Sequence, residues 1–315
     1  MKNKISHYPA MYLIIFLLGI FADICTADSA PTTLIRFSHS PFPYNESLNT
    51  EKPFFDVNEQ GRRGHNSLRG GIYWEDERYN DNRVLISTPS HFKPSKPAVI
   101  VVYLHGNLAT LERDVRDRQS IPEQVAASGL NAILVAPQFA LDAQDSSPGN
   151  FAGENFFEKF LVEVANKTGK WKRNRDLVKS LRNAKVIIVA YSGGYQAAAA
   201  ILENGGANDR IAGVILLDAL YGREQTFADL FTNNSRRFLI STFTEAARAP
   251  NENLKTLLQK NNKNITETLP EKILPGTLSF ISLGPDVDHY TLLEGSWVEK
   301  PLADILRRVN LSIKK

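Results

Sequence analysis

The chain has 315 residues, 37 of them basic and 34 acidic for a net charge of +3, and one cysteine, Cys25. A charge so near balance gives no reason to expect a polyanionic or polycationic partner, and a lone cysteine excludes an internal disulfide and a cysteine-built metal centre. His39, His65, His91, His105 and His289 are scattered without an H-x-x-x-H pair, so no histidine metal site is expected.

The N-terminus reads as an export signal. Lys2 and Lys4 precede the apolar stretch Met11–Phe21, and the small residues Cys25 and Ala27 stand at the −3 and −1 positions of a cleavage before Asp28. That stretch is too short to cross a bilayer, which takes roughly 20 residues, so no stable membrane insertion is expected once residues 1–27 are removed. Asp23 and Ile24 argue against lipidation at Cys25. The predicted product is a cysteine-free chain of 288 residues with 35 basic and 33 acidic side chains, exported to the periplasm or secreted.

Residues 28–67, rich in Pro, Asn, Ser and Arg with interspersed aromatics, read as an irregular arm over the surface of a domain spanning 68–315. Strand-like runs begin at 71–74 and 83–88, paired as an antiparallel entry hairpin. Four nearly unbroken apolar runs follow, at 98–104, 131–136, 186–190 and 211–217. Runs of this kind, without polar alternation, mark strands buried on both faces of a parallel sheet. Two more, at 237–242 and 277–283, complete eight candidate strands. Helical patterns occupy 111–128, 156–166 and 195–204, and a last helix begins near Glu299. Strand alternating with helix predicts a mostly parallel eight-stranded α/β sheet with helices on both faces. Neither G-x-G-x-x-G nor a Walker pattern follows any strand, so no cofactor is expected. The eight basic residues between Lys167 and Lys185 read as a solvated helix face, and no nucleic-acid partner is expected. Oligomeric state is not legible.

The richest signal is Tyr191-Ser192-Gly193-Gly194, placed directly after the run 186–190 and directly before the helical pattern from Tyr195. A sharp turn there lifts a serine hydroxyl clear of the sheet, and the small residues Ala190 and Gly194 on either side let strand and helix pass closely. The helix also turns its partly positive N-terminus toward the place where an oxyanion would form. With Leu104-His105-Gly106-Asn107 after the run at 98–104, and with the order of elements over roughly 70–312, the chain resembles the α/β-hydrolase superfamily. It departs from G-x-S-x-G by Ala190 in place of the first glycine.

The resemblance implies a Ser, acid, His order along the chain. Only His289 follows Ser192, in a loop after the last predicted strand, and it is the expected general base. The acid is Asp218, at the end of the run 211–217, or alternatively Glu245 after the next strand. The resemblance further implies that Asn107 and Gly193 supply the backbone N–H groups of an oxyanion hole, while His105 braces its loop. A serine nucleophile points to hydrolysis of an ester, thioester or amide through an acyl-enzyme, on a small ester or a cell-envelope peptide. Candidate pocket walls are 139–156, 221–234 and 245–275, with Tyr191, Tyr195 and Tyr221 nearby. The competing reading is a catalytically silent α/β-hydrolase fold used as a binding or effector module.

Overall fold

The computed structural model describes residues 30–45, 53–233 and 236–311; the export segment 1–27 lies outside them. In chain order, β1 (Thr32–Arg36) leads to β2 (Val57–Glu59), β3 (Arg62–Ser67), β4 (Gly71–Trp74) and the one-turn α1 (Glu75–Arg78). Next come β5 (Arg83–Ser87), β6 (Val99–Leu104), a wide-turn π-helix (Leu111–Arg118), α2 (Ile121–Ala127) and β7 (Ala132–Pro137). The second half holds α3 (Phe156–Trp171), α4 (Arg175–Arg182), β8 (Lys185–Tyr191), α5 (Tyr195–Asn204) and β9 (Ile211–Leu217). It closes with α6 (Glu224–Asn233), β10 (Phe238–Phe243), α7 (Arg248–Lys260), β11 (Leu278–Ser282) and α8 (Pro301–Arg307).

The main sheet has eight strands in the order β1-β5-β7-β6-β8-β9-β10-β11. From β7 to β11 neighbours run parallel, whereas β1 and β5 are antiparallel. Counting only this sheet's own strands along the chain, the order is 1-2-4-3-5-6-7-8. The chain has the α/β-hydrolase fold.

The unbroken apolar runs follow from burial on both faces. In β6, Ile100, Val102 and Leu104 face one core with α3 to α7, while Val99, Val101 and Tyr103 face a second core with the π-helix, α2 and α8. β8 divides in the same way, Val186, Ile188 and Ala190 to the first core and Ile187, Val189 and Tyr191 to the second. Each large aliphatic side chain so buried contributes roughly 1.5–3 kcal/mol. The basic stretch from Lys167 spans the end of α3 and all of α4. Leu177 and Leu181 point inward there, and Arg175, Lys179 and Arg182 are exposed. Among the described residues, no helix is long and apolar enough to cross a membrane.

Three expectations are corrected. The segment 28–67 is not an irregular arm throughout. β1 enters the main sheet as its edge strand, pairing Ile35 with Val84 and Leu34 with Leu85. β2 and β3 form a separate antiparallel sheet with β4. Apart from Phe37, which joins the main core, the aromatics of the segment build a small core of their own, where Phe42 and Phe55 close on Tyr79. The 71–74 and 83–88 runs therefore do not pair. The buried β5 takes the apolar β1 as partner, and the half-exposed β4 turns back on β3. Finally, 111–128 is two helices rather than one. Ser120 takes a left-handed φ of 48°, and Pro122 opens α2, where its missing N–H is harmless.

Candidate active site

β8 is buried through Tyr191 and runs straight into the turn Ser192–Gly194. Ser192 has φ of 53°, in the left-handed region that costs a non-glycine residue of order 1–3 kcal/mol. Close packing holds it there. A Cβ on Gly194 would lie 2.3 Å from the Leu104 carbonyl oxygen, and one on Gly106 would lie 2.7 Å from Ser192 Cβ. Only glycine permits either approach. Ala190, two residues before Ser192, is fully buried within β8.

The structure brings Ser192, His289 and Asp218 together from three strand ends. Ser192 Oγ lies 2.9 Å from His289 Nε2, and His289 Nδ1 lies 2.6 Å from Asp218 Oδ2. Asp218 follows β9 with no exposed surface and a left-handed φ of 44°. Its carboxylate accepts from Thr244 N–H at 2.8 Å, Thr244 Oγ1 at 2.9 Å and Tyr221 Oη at 3.2 Å. Burial by itself would raise the Asp218 carboxyl. The hydrogen bonds from His289 and Thr244 outweigh it and hold the group below its ordinary value, so it stays ionised. An ionised carboxylate only accepts, which places the imidazole proton on Nδ1 and leaves Nε2 free to accept from the serine hydroxyl. Glu245 is not part of this arrangement. Its side chain is 78% exposed and pairs with Arg248 at 2.6 Å.

The loop after β6 comes up beside the elbow. Asn107 Oδ1 would lie 2.7 Å from a Cβ on Gly193, and Ser146 Oγ donates to that same oxygen at 2.8 Å. Asn107 and Gly193 thus flank the serine, each carrying a backbone N–H. His105 sits behind them, buried. Its Nδ1–H donates to Gly106 O at 2.7 Å, and its Nε2 accepts from Phe139 N–H at 2.9 Å and from Gln138 Nε2 at 3.0 Å. It reaches no reacting group and joins the loop after β6 to that after β7.

Burial lowers the His105 pKa from its ordinary 6.5 to about 4, against a raising contribution from Gly106 O. Between those values the unfolded chain binds the proton and the folded one does not, so stability rises with pH across that window. The His105 contribution is complete above pH 6.5 and falls away by about 3 kcal/mol as pH drops toward 4. Urea unfolding of wild type and His105→Gln checks this, since the variant should show a flatter dependence over that range. An unchanged slope would remove His105 as the cause.

Two tyrosines and an arginine complete the surroundings of His289, and the sequence places the tyrosines only near a pocket. Tyr191 stacks on the His289 ring at 5.2 Å and 15°, and its Oη donates to His289 O at 2.8 Å. Tyr221 braces Asp218. Arg118, at the end of the π-helix, donates to Tyr290 O at 2.9 Å and pairs with Glu294 at 2.6 Å. Thr244 and Arg118 carried no sequence signal, because their roles arise from strands and loops far apart along the chain. Of the predicted pocket walls, 139–156 contributes Gln144 to Pro148 to a cleft beside the elbow.

No protein-family model matches the chain, and no curated protein matches it. Solved structures do resemble it at low identity. A mutant of the feruloyl esterase module from Clostridium thermocellum, complexed with sinapinate, is 13% identical, with 88% of this chain and 98% of that chain covered at a TM-score of 0.47. An S-formylglutathione hydrolase from Agrobacterium tumefaciens is 12% identical over 81% and 98%, at 0.44. Brefeldin A esterase is 12% identical over 89% and 75%, also at 0.44. The strand order, not these likenesses, carries the fold.

Proposed function

We propose that the chain is an exported serine hydrolase that cleaves an ester, thioester or amide bond through an acyl-enzyme. The observation supporting this reading is the unbroken relay from Ser192 Oγ through both nitrogens of His289 to buried Asp218. In the proposed cycle Ser192 Oγ attacks the carbonyl carbon while His289 Nε2 takes the hydroxyl proton. The imidazolium formed is stabilised by the ionised Asp218. The negative carbonyl oxygen is held by the N–H groups of Asn107 and Gly193, each of which contributes about 10²–10³ in rate in comparable sites. His289 then hands the proton to the departing alcohol, thiol or amine, and the acyl group stays on Ser192. Water, deprotonated by the same nitrogen, attacks the acyl-enzyme, and His289 returns that proton to Ser192 Oγ as the bond to the acyl group breaks and the acid leaves.

Export rests on residues 2–27. Removal of 1–27 takes away no described element, since β1 begins at Thr32. One experiment tests both parts. Protein recovered from the periplasm or medium of an expressing cell is treated with a fluorophosphonate and digested with trypsin. The label is expected on the peptide 186–210, whose single serine is Ser192, and the N-terminus is expected at Asp28. Folded protein that takes no label would favour the silent binding module instead.

A further inference from the structure

Beside the elbow opens a cleft of about 520 Å³, walled by the β3–β4 turn with Leu68 and Arg69 and floored by Ser146, Tyr195 and Gln196. It adjoins the proposed oxyanion side of the site. Ser146 Oγ bonds Asn107 and would meet a Cβ on Gly193 at 2.3 Å. Tyr195 and Gln196 open α5 directly behind the turn of Ser192, and the Tyr195 ring stands 6.2 Å from Tyr221, which bonds Asp218.

The charges around this cleft are unequally committed. On the same hairpin, Arg62 pairs with Asp76 at 2.9 Å and Arg63 pairs with Glu75. Arg69, at the tip, is exposed and has no carboxylate or hydrogen-bond partner among the described residues. The cleft's one acid, Asp145, is 8% exposed and fully engaged. Its Oδ2 accepts from Tyr79 Oη at 2.7 Å, and its Oδ1 accepts from Ser147 N–H at 2.9 Å and Ser147 Oγ at 2.7 Å. His65 is held by the Phe54 carbonyl at 2.7 Å and stacked on the Phe54 ring at 4.2 Å. Among the described residues, what remains for a ligand is one guanidinium without a partner amid neutral amides and hydroxyls. The positive charge of Arg69 is also felt at the Tyr221 hydroxyl, where it opposes the upward push of burial.

We infer that the substrate carries a carboxylate on the portion that enters this cleft, and that Arg69 is the specificity-determining residue that binds it. The inference rests on the serine-hydrolase reading and names its substrate class. A guanidinium matches a carboxylate with two parallel N–H donors, a geometry that a lysine ammonium does not reproduce.

Two matched pairs of esters test it, one with the charge on the acyl side and one on the leaving side. These are mono-para-nitrophenyl glutarate against para-nitrophenyl pentanoate, and para-acetoxybenzoate against phenyl acetate. Wild type should prefer the anionic member of one pair by roughly tenfold in kcat/KM, the size of one charge-assisted hydrogen bond. Arg69→Gln should erase that ratio mainly through KM, Arg69→Lys should restore part of it, and added salt should weaken it because Arg69 is exposed. Turnover of neutral esters with no anionic preference, or equal losses on both members in Arg69→Gln, overturns the inference and leaves the hydrolase reading standing. Failure to turn over all four esters, with no fluorophosphonate label, overturns both.

Discussion

Ser192→Ala should fold normally and lose about 10⁶ in kcat on any ester the wild type hydrolyses. The loss is this large because in the proposed cycle the hydroxyl is the atom that bonds to the acyl group, and neither His289 nor the neighbouring N–H groups can replace it. Residual acceleration over water of about 10³–10⁴ is expected from the oxyanion donors and binding alone. Stopped-flow assay with an activated ester separates the cases. Wild type should release a burst of alcohol equal to the enzyme concentration if deacylation is slow, and the variant should release none. Ser192→Gly serves as a folding control. At φ of 53° glycine relieves a left-handed strain of order 1 kcal/mol, so this variant should be equally inactive and at least as stable. Residual activity above one per cent in either variant would rule Ser192 out as the nucleophile.

The second large effect belongs to Asp218→Asn, with an expected loss of about 10⁴ in kcat. The shape of the side chain is kept, but its amide can present N–H toward His289 Nδ1. The imidazole proton then moves to Nε2, which faces Ser192 at 2.9 Å and can no longer accept from the hydroxyl. Glu245→Gln, altering the alternative carboxylate, should stay within about twofold, as expected for an exposed ion pair. Equal losses in the two variants would remove Asp218 from the relay. The stability contribution of Asp218 has the same sign as that of His105 but a lower window. Its pKa is held down in the folded chain, so the contribution is complete at neutral pH and is lost only as pH falls below the ordinary 3.8. Unfolding free energy measured against pH should therefore fall first through the His105 window and again below 3.8.

Seven of the eight main-sheet strands were legible as apolar runs, because strands covered on both faces need no polar alternation. β1 was missed for the complementary reason. Thr32-Thr33-Leu34-Ile35-Arg36 is a half-buried edge strand with only two apolar residues, Leu34 and Ile35, too few to read as a run. The elbow was legible because its demands are local: a buried strand, a serine, and small residues on either side. His289 was legible only through chain order. Asp218 and Glu245 could not be separated from sequence, since the choice depends on which strand end points at the imidazole, and that is a property of the assembled sheet. The Arg69 cleft was invisible for a similar reason. Its two walls, at 65–69 and 144–148, lie about 80 residues apart and meet only because β3 and β4 fold back as a sheet of their own.

The hydrogen bond from Tyr191 to the His289 carbonyl joins the residue just before Ser192 to the residue whose ring faces its hydroxyl. Ninety-seven positions of chain separate Ser192 from His289, yet both ride on a common mount at the tip of β8, with the Arg118 clamp steadying the far side. Together with the ring stack at 5.2 Å, that bond means the loop carrying His289 cannot draw away from Ser192 without breaking a contact to β8. Tyr191→Phe would cut this mechanical tie while leaving every reacting atom in place.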